Sequence, residues 1–287
     1  QPCGGDHQGD AAMSGAMGGA AGGVGEATGT VGDSGADVRV HWVTAFLDRP
    51  VAAFALAADF WCAALGATLS ARRGENGEFA TLLPTDGDAA IKLQGVGDPC
   101  QGGHLDLEVP DVVAARDRAV GLGARSVADL GSLQVLRSPA GLLFCFVPLR
   151  SAGVRPPVVE TPGGRVRADQ VALDVGPASA PAEVEFWAAL TGWRVVASVR
   201  PEFTVLIPPP ELAIRLLLQR LDTEPSNGPR MHLDLACADV SAATAYHRSL
   251  GAQVVAVQEF WTVLRDPAGE VYCLTARDPS TGRLPGH

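Results

Sequence analysis

Sliding the chain against itself by 128 residues aligns 104–147 with 232–275 without a gap, and 20 of the 44 pairs are identical. The shared pieces are HLDL at 104 and 232, DV at 111 and 239, LGA at 122 and 250, VLR at 135 and 263, PAG at 139 and 267, and Cys145 with Cys273. Further upstream the register drifts by two or three residues, yet Phe60 and Trp61 answer Phe186 and Trp187, and Leu93 and Gln94 answer Leu218 and Gln219. A self-match of this length implies a duplicated domain of about 110 residues, not a short-period solenoid. The copies run from 38 to 149 and from 168 to 278. Between them, 150–167 carries repeated Pro and Gly and reads as a linker. Residues 1–37 are rich in Gly and Ala and nearly lack large apolar side chains. They cannot offset their own ordering entropy by burial and read as a disordered tail, and 279–287 reads as a short closing tail.

Each copy shows one pattern twice, a strand, a helix and three strands. In the first half, 40–47 is strand-like, Asp48 and Pro50 suggest the cap and first turn of a helix ending at Gly66, and strands are expected near 67–72, 78–83 and 89–95. In the second half, HLDLEV (104–109) alternates as a strand. Asp111 caps a helix that Gly123 stops, and strands near 124–128, 133–137 and 142–147 follow. The second copy repeats this with Ser179 and Asp239 as caps and Gly192 and Gly251 as stops. A βαβββ unit covers only one face of its sheet, so two units must pair to curve a sheet around a cleft. The fold class is therefore α+β, with paired βαβββ units forming curved mixed sheets.

Net charge excludes some partners. The chain has 22 basic and 32 acidic residues, a balance of -10, which disfavours nucleic acid and anionic membrane surfaces. No uninterrupted apolar run reaches membrane-spanning length, and the N-terminus lacks the basic start and Leu-rich core of a secretory signal. The six cysteines contain no C-x-x-C pair. Zinc ribbons and disulfide scaffolds are thus disfavoured, and a reducing cytoplasm is the expected compartment.

Alternation along HLDLEV puts His104, Asp106 and Glu108 on one face and Leu105, Leu107 and Val109 on the other. The apolar face belongs under the helix and the polar trio in the cleft, where it could supply acid and base, ligate a metal or grip a polar ligand. Satisfaction of His104 and Asp106 by each other is an equally good reading. The second copy keeps His232 and Asp234 but has Ala236 in place of Glu108, so its pocket is expected to be less polar. Arg137 and Arg265 precede a P-A-G turn and either clamp a ligand carboxylate or tie the turn. Gln94 and Gln219 could orient a carbonyl-bearing ligand. Trp61 and Trp187 read as core. Phe260 and Trp261, which replace Ser132 and Leu133, place one aromatic side chain toward a flat apolar ligand. No G-x-S-x-G, P-loop or dinucleotide fingerprint occurs.

The segments EFWAALTGWRVV (185–196), LLLQRL (216–221), MHLDLACADV (231–240), SLGAQVV (249–255) and WTVLRDPAGEVYCL (261–274) resemble the vicinal-oxygen-chelate superfamily in its glyoxalase-like, bleomycin-resistance-type branch. The resemblance spans about residues 38–277 and implies two tandem glyoxalase-like domains, either a pseudo-symmetric monomer or a homodimer. It leaves the reaction open. In metal-dependent members the ligands sit on the first strands of paired units and on a last strand. That position by position suggests His41, His104 and Cys145 in the first copy, and Gln170, His232 and Cys273 in the second. The missing last-strand carboxylate argues against an oxygen-activating iron triad. The resemblance thus implies a small-molecule-binding protein that sequesters an antibiotic or planar metabolite without a complete metal triad. The alternative is a lyase, isomerase or dioxygenase using His41, His104 and Glu108 with a divalent Zn, Fe, Ni or Mn ion.

Overall fold

A computed structural model describes residues 38–97 and 102–284. The Gly/Ala-rich tail of the sequence reading, and 285–287 of the closing one, lie outside that range. The first unit comprises β1 (Trp42–Pro50), α1 (Phe54–Leu65), β2 (Thr68–Leu69), β3 (Phe79–Leu83) and β4 (Ile91–Val96). The second comprises β5 (Gly103–Val109), α2 (Val112–Gly121), β6 (Arg125–Asp129), β7 (Gln134–Arg137) and β8 (Leu143–Pro148). The second copy follows with β9 (Val159–Thr161), β10 (Gly164–Val175), α3 (Ala180–Thr191), β11 (Arg194–Ala197), β12 (Phe203–Ile207) and β13 (Arg215–Arg220). It closes with β14 (Arg230–Cys237), α4 (Val240–Ser249), β15 (Gln253–Val257), β16 (Trp261–Arg265) and β17 (Val271–Thr275). The stretch expected as a linker therefore contains β9 and the first residues of β10, which pair with each other.

Each copy closes on itself into one mixed sheet, ordered β2-β3-β4-β1-β5-β8-β7-β6 in the first and β11-β12-β13-β10-β14-β17-β16-β15 in the second. The two units of a copy meet at their opening strands, β1 against β5 and β10 against β14, both antiparallel. Each unit's last strand lies parallel to its first. The caps follow the sequence where a carboxylate precedes a helix. Asp111 accepts from the Val113 and Ala114 amides, and Asp239 from that of Ala242. Ser179 stands at the N-cap of α3, but its hydroxyl donates to the Gly176 carbonyl and makes no cap bond. Asp48 is no cap at all. β1 continues through Pro50, a single 3-10 turn follows, and α1 starts at Phe54 after an uncapped Ala53. Strand pairing out to Pro50 outweighed the local cap signal. Gly66 and Gly192 close α1 and α3 in the left-handed region, which glycine enters without a Cβ penalty.

The core is continuous across the copies. Trp61 and Trp187 are fully buried, as their sequence setting suggested, and each reaches into the other copy. From α1, Phe60 and Trp61 meet Tyr272 of β17 edge to face, with ring centroids 5.7 and 5.0 Å apart. From α3, Phe186 and Trp187 meet Phe144 of β8 at 5.8 and 5.1 Å. Helices of both copies are thus sandwiched between the sheets, and the opposite sheet faces turn outward.

Two buried carboxylates fix this arrangement. Asp266 accepts from Arg49 Nε at 2.7 Å and from Trp61 Nε1 at 3.1 Å. Neither ion-pair side chain is more than 2% exposed. At the pseudo-equivalent contact Asp266 is replaced by Ser138, and the acid comes from α3 instead. Glu183 accepts from Trp187 Nε1 at 2.7 Å and from the Ala140 amide at 2.8 Å. Burial pushes the Glu183 carboxyl up, against hydrogen bonds from Ser138, Ala140 and Trp187 that favour its charge. A second group in this layer is held neutral. Burial pushes His247 of α4 down to about 4, with its Nδ1 2.8 Å from the Tyr272 hydroxyl.

Removing one partner of a buried pair strands the other's charge, at a cost of about 3–5 kcal/mol. Asp266→Ala is therefore expected to destabilise the protein by about that amount. Urea unfolding followed by circular dichroism measures it, and a loss below about 1 kcal/mol would mean that the pair does not hold the copies together.

Candidate functional site

The outward face of each sheet carries one polar group at its centre. In the second copy, β14 and β17 run parallel with Asp234 opposite Cys273, and β10 places Gln170 opposite Asp234. His232 stands two residues before Asp234 on the same face, as strand alternation requires. Its Nδ1–H donates to Asp174 Oδ2 at 3.1 Å. Its Nε2 lies 3.3 Å from Asp234 Oδ1 and 3.6 Å from Cys273 Sγ. Gln170 Nε2 donates to Asp234 Oδ2 at 2.5 Å, and Arg215 Nε donates to Gln170 Oε1 at 2.6 Å.

Electrostatics concentrates on the imidazole. Burial alone would lower the pKa of His232, but the charges of Asp174 and Cys273 and hydrogen bonds to Asp174 and Asp234 raise it well above its ordinary value. Asp234 is held low despite burial by His232, Arg277 and Gln170, and burial pushes the Cys273 thiol up to about 11. Asp174 at Nδ1 and Asp234 at Nε2 thus both favour a positive charge on the ring.

The first copy repeats the arrangement more loosely. His104 Nδ1–H lies 3.1 Å from both Asp48 oxygens, and its Nε2 lies 4.0 Å from Asp106 Oδ1. Burial lowers the His104 pKa, but Asp48 and Asp106 outweigh it and the net shift is upward. Among the described residues, His104, Asp106 and Cys145, and likewise His232, Asp234 and Cys273, each bring three ligand atoms within 4.8 Å of one another.

The clefts differ above these groups. Phe46 stacks on His104 with ring centroids 4.5 Å apart and an 11° interplanar angle, Phe79 abuts Phe46 edge to face, and Lys92 Nζ lies over the Phe46 ring. Leu133, Val135 and Cys145 form an apolar cluster beside them. In the second copy the residue opposite His232 is Ala172, in the register that Phe46 holds opposite His104. A cavity of 180 Å³ opens beside His232. His232, Asp234 and Cys273 line it on one side, Phe203, Phe260 and Trp261 on another, and Arg215 and Arg277 also border it.

The remaining sequence candidates fall in several places. His41 precedes β1, its amide bonded to the Glu108 carbonyl. Thr44, three residues on, stands in register with Asp106 as Gln170 does with Asp234. Glu108 is buried, but its carboxylate accepts from the Arg150 and Ser151 amides and the Ser151 hydroxyl, which ties down the chain leaving β8. Arg137 and Arg265 donate to the Gly141 and Gly269 carbonyls and so brace their turns. Gln94 is buried on β4 opposite Asp48, and Gln219 borders the second cavity. Sequence reading missed Asp48, Asp174, Arg215 and Arg277. The first two could have been found by aligning the copies at an offset of 126, which pairs Asp48 with Asp174. The second cleft is also more polar than the Glu108-to-Ala236 change suggested, because its arginines have no counterpart in the repeated segment.

The match to known proteins agrees with this geometry. The model of the glyoxalase-like domain matches residues 44–147 and again 170–275. The chain belongs to this family, within the vicinal-oxygen-chelate superfamily. No curated protein sequence matches it. Among solved structures, a Mn(II)-bound glyoxalase from Novosphingobium aromaticivorans is similar at 16% identity and a TM-score of 0.57, over 86% of this chain and 87% of that one. An extradiol ring-cleaving dioxygenase from B. fuscum is similar at 15% identity and 0.57, over 86% and 74%. A xylose isomerase-like TIM barrel/4-hydroxyphenylpyruvate dioxygenase fusion protein gives 15% and 0.57 over 84% of this chain, which spans 50% of that one. At these identities the likeness concerns the fold. No helix among the described residues is long and apolar enough to cross a membrane.

Because the His232 pKa is raised, its stabilising contribution is complete below the ordinary value of 6.5 and is lost as pH rises through the folded value. Asp174→Asn removes a neighbouring charge that raises it. In chelator-treated protein, an NMR titration of the imidazole should show a lower pKa in the variant, and the loss of stability on raising pH above 6.5 should become shallower. An unchanged titration would contradict the assigned pairing.

Proposed function

We propose that this chain binds a small planar molecule in the cavity of its second domain, and that the first domain serves chiefly as its structural partner. The observation that carries this reading is the exchange of Phe46 for Ala172. An aromatic side chain stacks on the imidazole in the first cleft, whereas in the second a buried alanine holds that register and the imidazole borders an aromatic-walled cavity. Flat ligands suit such walls because ring stacking adds about 0.5–1.5 kcal/mol beyond the buried area. Sequestration of a planar metabolite or antibiotic, the activity implied by the sequence resemblance, needs no more than this.

By its register Ala172→Phe should bring a ring onto the face of His232, as Phe46 does at His104, and so narrow the cavity. Calorimetric titration with 2-naphthoate is expected to show binding to the wild-type protein and at least a tenfold weaker affinity in the variant, with circular dichroism unchanged. Equal affinities would place the ligand elsewhere.

A second reading is favoured by the donor set at His232. Asp174 orients the imidazole through Nδ1, as carboxylates commonly do for metal-bound histidines, so that Nε2 faces Asp234 and Cys273. Beyond its 3.3 Å contact with His232 Nε2, buried Asp234 Oδ1 has no other partner. Nitrogen, oxygen and sulfur donors together suit zinc, and a fourth position would face the cavity. A divalent ion held by His232, Asp234 and Cys273 would act as a Lewis acid toward an oxygen-bearing substrate, as in a lyase or isomerase. Arg215 and Trp261 would then orient that substrate. Titration with cobalt(II) tests this reading. A thiolate-to-cobalt absorption band that disappears in Cys273→Ser supports it, whereas no band in the wild-type protein removes Cys273 as a ligand.

A further inference from the structure

The cavity is not evenly lined, and one buried and one half-buried guanidinium set one end apart. Arg277 is 4% exposed. Its Nη1 donates to Asp169 Oδ2 at 2.7 Å and its Nε to the Thr275 hydroxyl at 3.0 Å. Nη2 is buried and has no hydrogen-bond partner. A buried charged donor without an acceptor is costly, so something that binds there should supply one.

Arg215 stands beside it on β13. Its donors go to Gln170 Oε1 at 2.6 Å and to the Gly282 carbonyl at 3.1 Å, both neutral. Among the described residues, no carboxylate oxygen comes within the 4.0 Å of an ion pair with it. Burial and then the charge of Arg277 push the Arg215 pKa down to about 10, against the weaker pull of Asp169 and Asp234. The nearby carboxylates have other commitments. Asp169 holds Arg277, and Asp174 and Asp234 flank His232.

We propose that the ligand of this cavity is a flat aromatic monocarboxylate whose anionic group is taken by Arg215 and Arg277. Guanidinium donors match a carboxylate in charge and geometry, and desolvation strengthens the contact. The ring then packs against the wall that Trp261 and Phe203 build together, their own rings meeting edge to face at 5.8 Å. The end of the ligand over His232 and Asp234 carries no second anion, because Asp234 already presents a carboxylate there. This assignment rests on the binding reading above and narrows it to a ligand class.

Calorimetric titration of the full chain with 2-naphthoate and with its neutral isostere 2-naphthamide separates the two ideas. The expected result for the wild-type protein is at least tenfold tighter binding of the carboxylate. Arg215→Met should abolish that preference while leaving the amide's affinity within about twofold, and Arg277→Lys, which keeps the charge paired with Asp169, should retain part of it. Equal binding of acid and amide by the wild-type protein, weakened in both cases by Ala172→Phe, would overturn the anion assignment and leave the cavity reading standing. Failure of both compounds to bind would sink the cavity reading and this assignment with it. Melting temperatures of the variants within a few degrees of the wild type exclude unfolding as the cause.

Discussion

The contact on which the rest depends is the buried carboxylate of Asp266, held by Arg49 and by the indole of Trp61. Apolar packing alone would let the helix layer slide, because dispersion contacts are individually weak and non-directional. A charge-assisted hydrogen bond inside that layer is directional, and misplacing it strands a charge. It therefore selects one way of seating the copies against each other, with Glu183, Trp187 and Ser138 doing the equivalent on the other side. With the helices confined between the sheets, the polar groups built on β5 and β14 have only the outward faces to occupy.

Given that frame, the difference between the clefts comes down to few side chains. Both hold an imidazole anchored through Nδ1 by a carboxylate of the adjacent strand, and both place an Asp and a Cys near Nε2. Phe46 and Leu133 fill the first, whereas Ala172 and Trp261 leave room in the second and give it an aromatic wall. Of the arginines at that cavity, Arg215 comes from strand β13 and Arg277 from the chain just after β17, regions in which the copies have drifted apart.

Most of the fold was legible because it is written twice. The gapless match of 104–147 with 232–275 gave the domain count, and the period-two alternation of HLDLEV correctly separated His104 and Asp106 from Leu105 and Leu107, which lie in the core. Local signals failed where tertiary pairing overrode them. Asp48 looks like a helix cap because an acid precedes Val51, yet strand pairing holds it beside His104. Glu108 shares the face of His104, but the backbone amides that consume its carboxylate belong to Arg150 and Ser151, more than forty residues away. Arg215 and Arg277 could not be singled out, because their meaning depends on which partners burial leaves them, and no spacing in the chain encodes that.

The pairing of Trp61 with Asp266 and of Trp187 with Glu183 also bears on how such a chain diverges. A single copy cut from it would leave Phe60, Trp61 and Phe144 facing water, and would have to cover them with a second identical copy. In such a two-fold assembly every substitution appears at both seams, so an acid could not sit on a turn at one and on a helix at the other. Covalent joining lifts that restriction. Each half can then accept changes that its sibling alone compensates, and a lineage can surrender one recess to packing while it refines the other.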